Sequence, residues 1–121
     1  MHEMPVVLNV VDVVDSFAGQ NGIDEVRKVV VDIGLVSSVV PFFFASCWDA
    51  AVGRSKHLLN SQLEINEIPA VCRCLECGAQ FDVTEKKPVR CPKCGGRAYK
   101  AYSGADIEIR EIMVDDAQAP T

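Results

Sequence analysis

The chain begins with a valine-rich run whose composition suits a strand but whose polar spacing does not. Over "MPVVLNVVDVVDSFAGQ" the residues Asn9, Asp12, Ser16 and Gln20 return every three or four positions, a polar stripe on an otherwise apolar cylinder. Periodicity outranks propensity, so residues 4 to 20 are expected to form a helix, with Pro5 tolerated in its first turn and "GQNG" as its stop. "DEVRKVVVDIG" then alternates. Val29, Val31 and Ile33 share one face and Lys28 and Asp32 the other, the pattern of a half-buried strand. Ser37 or Ser38 is placed to cap a second helix, with Pro41 in its first turn. That helix is expected to run through "FFFASCWDAAVGRSKHLL", past a weak point at Gly53. "QLEINEI" alternates again, with Leu63 and Ile65 opposed to Gln62, Glu64 and Asn66.

The pattern breaks at Val71. From there to about Tyr102 the chain is Cys, Gly, Pro and basic residues with few large aliphatics, which predicts a segment with almost no core of its own. Alternation resumes in "ADIEIREIMV" through Ile107 and Ile109, then shifts phase near Glu111 so that Ile112 and Val114 form the next apolar pair, as at a bulge. "DDAQAPT" reads as a frayed tail. The order helix, strand, helix, strand, insert, strand predicts an α+β fold: a small mixed β-sheet with two helices on one face, plus an inserted four-cysteine zinc-ribbon module. The expected boundaries are residues 1–69 and 104–116 for the host domain, 70–103 for the inserted zinc-binding domain and 117–121 for a flexible tail.

Charge narrows the function. A net charge of -5 and a pI near 4.9 disfavour a general phosphate-binding role, since a nucleic-acid footprint is normally a basic patch. The basic residues nevertheless concentrate in the insert, at Arg73, Lys86, Lys87, Arg90, Lys93, Arg97 and Lys100. A charge run of this kind is usually a solvated face. The start lacks a basic leader, and the most apolar windows are too short or too interrupted to span a bilayer. The expectation is therefore a cytoplasmic protein that binds neither membrane nor nucleic acid.

Five of the six cysteines fall between positions 72 and 94. That clustering in a leaderless chain reads as metal before disulfide. The spacing Cys74-x2-Cys77-x13-Cys91-x2-Cys94 repeats one turn, "CLECG" and "CPKCG". Each turn brings two sulfurs to one side, and its glycine permits the tight bend through which amides face them. Two such turns close a tetrahedral four-sulfur site that favours structural Zn2+ over iron, with the metal supplying most of the segment's folding energy. Cys72 reads as a spare thiol in the hinge, although "CRC" also allows it to replace Cys74 as a ligand. Cys47, among "FFFASCW", reads as core packing.

The first three residues, Met1, His2 and Glu3, raise a second metal question. With the bulky His2 blocking removal of the initiator methionine, the Met1 amine, the His2 backbone nitrogen and the His2 imidazole can form fused chelate rings on one ion. A fourth donor is the Glu3 amide or carboxylate or a residue elsewhere; Glu3 otherwise reads as a charge that stabilises the helix start. Nitrogen-rich planar coordination suits nickel or copper. Alone, "MHE" is a weak signal. His57, the other histidine, fits a polar surface position near a helix end, with an additional nickel donor as the alternative.

Taken together, the Met-His-Glu start, the helix-strand-helix-strand order, the CxxC…CPxC insert and the closing strand resemble the HypA/HybF family of hydrogenase nickel-incorporation proteins. "VVVDIG", "SSVVPFFF" and "EIPA" extend the likeness over essentially the whole length. "FASCWDAAVGRSKHLLN" and the extra thiol Cys72 depart from the family pattern without touching the matched ligands. The resemblance implies a metallochaperone, not an enzyme. It implies Ni2+ as cargo at the N-terminus, centred on His2, and zinc at Cys74, Cys77, Cys91 and Cys94. Its implied partners are a HypB-type nickel-handling GTPase and the hydrogenase large-subunit precursor, with the chain a monomer or weak homodimer. Two rivals remain from the residues alone: a zinc-ribbon nucleic-acid-binding or transcription-assembly module, and a thiol redox enzyme. Only Tyr99 and Tyr102 interleave the basic run for the first, and no cysteine–base pairing is legible for the second.

Overall fold

A computed structural model of the chain describes residues 3–114. Met1, His2 and the "DDAQAPT" tail lie outside the described residues. The element order is α1 (Glu3–Gln20), β1 (Val26–Gly34), α2 (Pro41–Val52), β2 (Gln62–Ile68), β3 (Ala70–Cys74), β4 (Gln80–Val83), β5 (Tyr99–Ala101) and β6 (Ile107–Val114). The strands form two three-stranded sheets, ordered β2-β1-β6 and β4-β3-β5. The class is α+β. The chain divides into two compact units: the described parts of Met1–Val31, Val39–Ile65 and Ile109–Thr121 in one, and Asp32–Ser38 with Asn66–Glu108 in the other.

In the first unit, α1 buries Glu3, Val7, Val10, Val11, Val14 and Ala18, a stripe at helical spacing. Asn9, Asp12, Ser16 and Gln20 are all exposed, so the polar stripe faces solvent as its spacing requires. Helix α1 packs on α2, which buries Phe44, Trp48, Ala51 and Val52. The rings of Phe44 and Trp48 stack with centroids 6.5 Å apart.

Three details differ from the sequence expectation. Neither Ser37 nor Ser38 caps α2: Val40 holds that position with no side-chain cap from its own residue, and Pro41 opens the helix. The helix stops at Val52, not at the leucines beyond. After Gly53 the Ser55 hydroxyl, buried, donates to the Asp15 carboxylate and accepts the N–H groups of His57 and Leu58, each at 3.2 Å. Those bonds hold the segment as turns, the competition that serine side chains offer to helical pairing. Strand β1 is not half-buried either. From Val29 to Gly34 every residue is buried, Asp32 included, in what is the central strand of its sheet. The Asp32 carboxylate accepts the Asn66 side-chain N–H at 3.1 Å, which satisfies a buried charge that the alternation had placed on a wet face.

In the second unit, β3 pairs antiparallel with β4 (Cys72 opposite Phe81) and with β5 (Cys72 opposite Ala101). A small core of its own joins Leu35, Ala70, Cys72, Cys74, Phe81, Val83 and Cys91. The segment thus has a core where its composition predicts almost none, although Cys74 and Cys91 within it belong to the cysteine turns. Cys72 is fully buried at the centre of β3; it belongs to that core, not to a hinge.

Candidate metal centre

The two cysteine turns are built alike. After Cys74 the chain reverses so that the Gly78 N–H bonds the Cys74 carbonyl at 3.0 Å; after Cys91 the Gly95 N–H bonds the Cys91 carbonyl at 2.8 Å. Both glycines have positive φ, 78° and 74°, a conformation open to glycine at no steric cost. Each turn aims amides at sulfur: the N–H groups of Glu76 and Cys77 at Cys74 Sγ, and that of Gly96 at Cys94 Sγ, all at 3.4 Å.

The turns then face each other. Cys74 Sγ lies 3.6 Å from Cys94 Sγ, and Cys77 Sγ lies 3.6 Å from Cys91 Sγ. All four sulfurs fall within 4.8 Å of one another, and among the described residues they form a cluster able to hold a metal ion. Four ligands about 2.3 Å from a tetrahedral zinc stand roughly 3.8 Å apart, so the donor set fits that ion. Cys74 and Cys91 are buried, Cys77 and Cys94 exposed, which leaves the site at the surface of its unit.

Three of the four thiols are shifted by the amides and sulfurs around them. The Cys77 N–H leads the contacts that hold Cys74 below the ordinary thiol range. The Cys94 N–H and then the Lys93 N–H bring Cys91 down to about 7 despite desolvation. At Cys94 the Gly96 N–H favours the thiolate, but the Cys74 sulfur and desolvation outweigh it and push the group up to about 12. The first thiolates form readily and the last resists, because like charges this close repel. A dication removes that repulsion. Cys72, two residues upstream, is held in its neutral form by burial and by Asp82; it takes no part in the cluster.

Glu76 is the residue that spacing alone did not reveal. It sits inside the first turn, and its Oε2 accepts the N–H of Arg97 at 3.0 Å and of Ala98 at 3.5 Å, just past the second turn. A backbone bond from Leu75 N–H to the Ala98 carbonyl at 2.9 Å runs alongside. Gly96 packs so tightly here that a Cβ would fall 2.1 Å from Glu76 Oε2.

The remaining candidates are dispersed. Glu3, the first described residue, is 95% buried, and its Oε2 accepts the Val40 N–H at 3.2 Å, so its carboxylate supplies the cap that α2 lacks from its own chain start. His57 lies in the turns after α2, half-buried, with Nδ1 3.1 Å from the Asp24 carbonyl. Cys47 is half-buried on α2, short of the core. The seven basic residues of the insert are all exposed.

A two-sheet α+β chain with a closed four-thiol centre beside turn glycines defines a small metal-binding protein. The family model described as "Hydrogenase/urease nickel incorporation, metallochaperone, hypA" matches residues 1–114. The chain is 34% identical over 117 residues to the hydrogenase maturation factor HypA of Chlorobium limicola, covering 96% of this chain and 98% of that one. It is 32% identical over 119 residues to the HypA of Streptomyces avermitilis, covering 98% and 90%. The solution structure of the Ni metallochaperone HypA from Helicobacter pylori superposes with a TM-score of 0.65 at 22% identity, covering 93% of this chain and 96% of that one, and shows the same fold. The chain belongs to the HypA family of hydrogenase/urease nickel-incorporation metallochaperones.

Proposed function

We propose that this chain carries Ni2+ at its N-terminus and hands it to a hydrogenase large-subunit precursor in concert with a HypB-type GTPase, in the cytoplasm and without catalysing a reaction. The ligands of the cargo are the Met1 amine, the His2 backbone nitrogen and imidazole, and the Glu3 amide nitrogen. Zinc occupies Cys74, Cys77, Cys91 and Cys94 as a structural cross-link in an inserted domain spanning residues 70–103.

The observation that carries the nickel reading is the match of residues 1–114 to the nickel-incorporation metallochaperone family; the burial of Glu3 adds where the N-terminus is anchored. The Glu3 carboxylate accepts the Val40 N–H, which ties the residue after His2 to the body of the protein and favours its amide nitrogen as the donor. A chelate built on a free amine and one imidazole exchanges ligands more readily than a closed thiolate cage, as delivery requires. Four thiolates suit retention.

The reading is tested by calorimetric nickel titration of the native chain, of His2→Ala and of a chain extended by a short N-terminal peptide. The substitution removes the imidazole; the extension keeps every side chain but turns the amine into an amide, a far poorer donor. Both should abolish tight one-to-one nickel binding while zinc content stays unchanged. Protons compete for the same lone pairs, so affinity should fall as pH drops through the imidazole and amine range, roughly 6.5 and 7.7 when unperturbed. Unchanged affinity in both variants would remove the N-terminus from the site.

A further inference from the structure

Strand β4 is the outer strand of its sheet, with β3 on one side and no described strand on the other. The pairing fixes which of its backbone groups are spoken for. Cys74 N–H bonds the Ala79 carbonyl, and Cys72 and Ala70 stand opposite Phe81 and Val83. In an antiparallel ladder the bonded pairs alternate, so Phe81 and Val83 turn their N–H and C=O groups toward β3. Gln80 and Asp82 turn theirs outward. Among the described residues no backbone group outside the strand bonds to either of them.

A cavity of about 400 Å³ opens along this edge, lined by residues 81–84 and by the loop 87–92. That volume lies in the range of natural ligand pockets. Its walls combine apolar Phe81, Val83, Pro88, Val89 and Pro92 with polar Thr84 and the charged Asp82, Lys87 and Arg90, and Cys91 of the four-sulfur set also lines it. The Lys87 ammonium is 3.2 Å from the Glu85 carboxylate. Arg90 has no ion pair among the described residues. The surrounding module is basic: residues 70–103 hold seven Lys and Arg against three Asp and Glu. Edge strands left open invite pairing with another chain, and proteins commonly blunt them. Here an unpaired donor–acceptor row and partly apolar walls meet a cation unpaired among the described residues, Arg90, in a module whose net charge is positive.

We infer that this edge is a docking groove for an extended acidic peptide segment of a partner protein, which adds as a strand to β4. The outward groups of Gln80 and Asp82 supply the main-chain bonds, the cavity takes the peptide's apolar side chains, and Arg90 pairs with a carboxylate. Main-chain bonds give such complexes their affinity and pockets for alternate side chains their specificity. The groove lies within one compact unit, and the inference is independent of where nickel binds.

The test uses the full-length zinc-loaded protein, labelled for amide NMR, and a synthetic peptide of alternating glutamate and valine. Binding should shift amides in residues 80–92, slow hydrogen exchange at Gln80 and Asp82, and weaken with salt. Arg90→Glu should weaken it about tenfold by exchanging attraction for repulsion. Asp82→Pro removes one outward N–H while leaving the bonds to β3, as proline is tolerated at strand edges; it should weaken binding while the α1 and β3 amides keep their positions. A peptide of alternating lysine and valine should bind at least tenfold more weakly. No shift at 80–92 with the acidic peptide, equal binding of the basic one, or full affinity in both variants would each overturn the proposal.

Discussion

Glu76 shows how a candidate metal centre can be held together by a side chain outside its donor set. Its carboxylate spans the two cysteine turns through the N–H groups of Arg97 and Ala98, so the second pair of ligands is positioned partly by a residue between the first pair. A hydrogen bond of this kind contributes about 1 kcal/mol, and an exposed glutamate belongs at the lower end of that range. Its negative charge beside the four sulfurs is a second variable, separate from the bond. Glu76→Ala loses the bond and the charge; Glu76→Gln keeps an acceptor and loses only the charge. Zinc retention against a chelator should drop severalfold in the alanine variant and stay near wild type in the glutamine variant. Equal loss in both would make charge, not bridging, the operative property. The cysteines were legible because ligand spacing is a local signal. Glu76 was not, because its partners lie more than twenty residues away.

At the scale of elements, Gly34 and Gly104 decide how the chain leaves β1. A Cβ on Gly34 would fall 2.0 Å from the Gly104 carbonyl oxygen, and one on Gly104 would fall 2.8 Å from Ala70 Cα. The Val36 N–H bonds the same Gly104 carbonyl at 3.0 Å, so the two segments cannot separate without losing it. Gly34→Ala should therefore destabilise by about 2 kcal/mol or more, through backbone displacement and not propensity. A shift in the midpoint of urea unfolding measures it, and a change below about 0.5 kcal/mol would mean that the contact yields freely. Sequence periodicity could not see this contact, but it did find α1, β1, β2 and β6, and the burial of β6 slips phase at Arg110 and Glu111 as the apolar spacing requires. It missed β3, β4 and β5. Those strands are five, four and three residues long, too short for alternation to rise above a background of Cys, Gly and Lys. It also read β1 as one-faced, since coverage of a strand's second face is a long-range property that no local pattern carries.

Over the whole molecule, charge and core are distributed unequally. Residues 70–103 carry a surplus of Lys and Arg, while the rest of the chain carries fourteen Asp and Glu against five Lys and Arg. The apolar core follows the same division. Helices α1 and α2 bury large aliphatic and aromatic side chains, whereas the cluster around β3 is small and counts three cysteines among its buried members. Segments of fewer than about 40 residues seldom fold without a cross-link or a metal, and here two of those cysteines, Cys74 and Cys91, are also in the four-sulfur set. Taking the metal away removes the cross-link at the point where the small core ends, and the freed sulfurs take up protons. Chelation should therefore collapse the amide dispersion of residues 70–103 while the amides of α1 and α2 keep their positions, and zinc should restore the lost signals with release of protons. Amide NMR on the full chain before and after chelation is the measurement. Loss of the α1 and α2 signals in the same step would show that the metal holds one cooperative unit. An unchanged spectrum would show that Phe81, Val83 and Cys72 suffice to hold the module unaided.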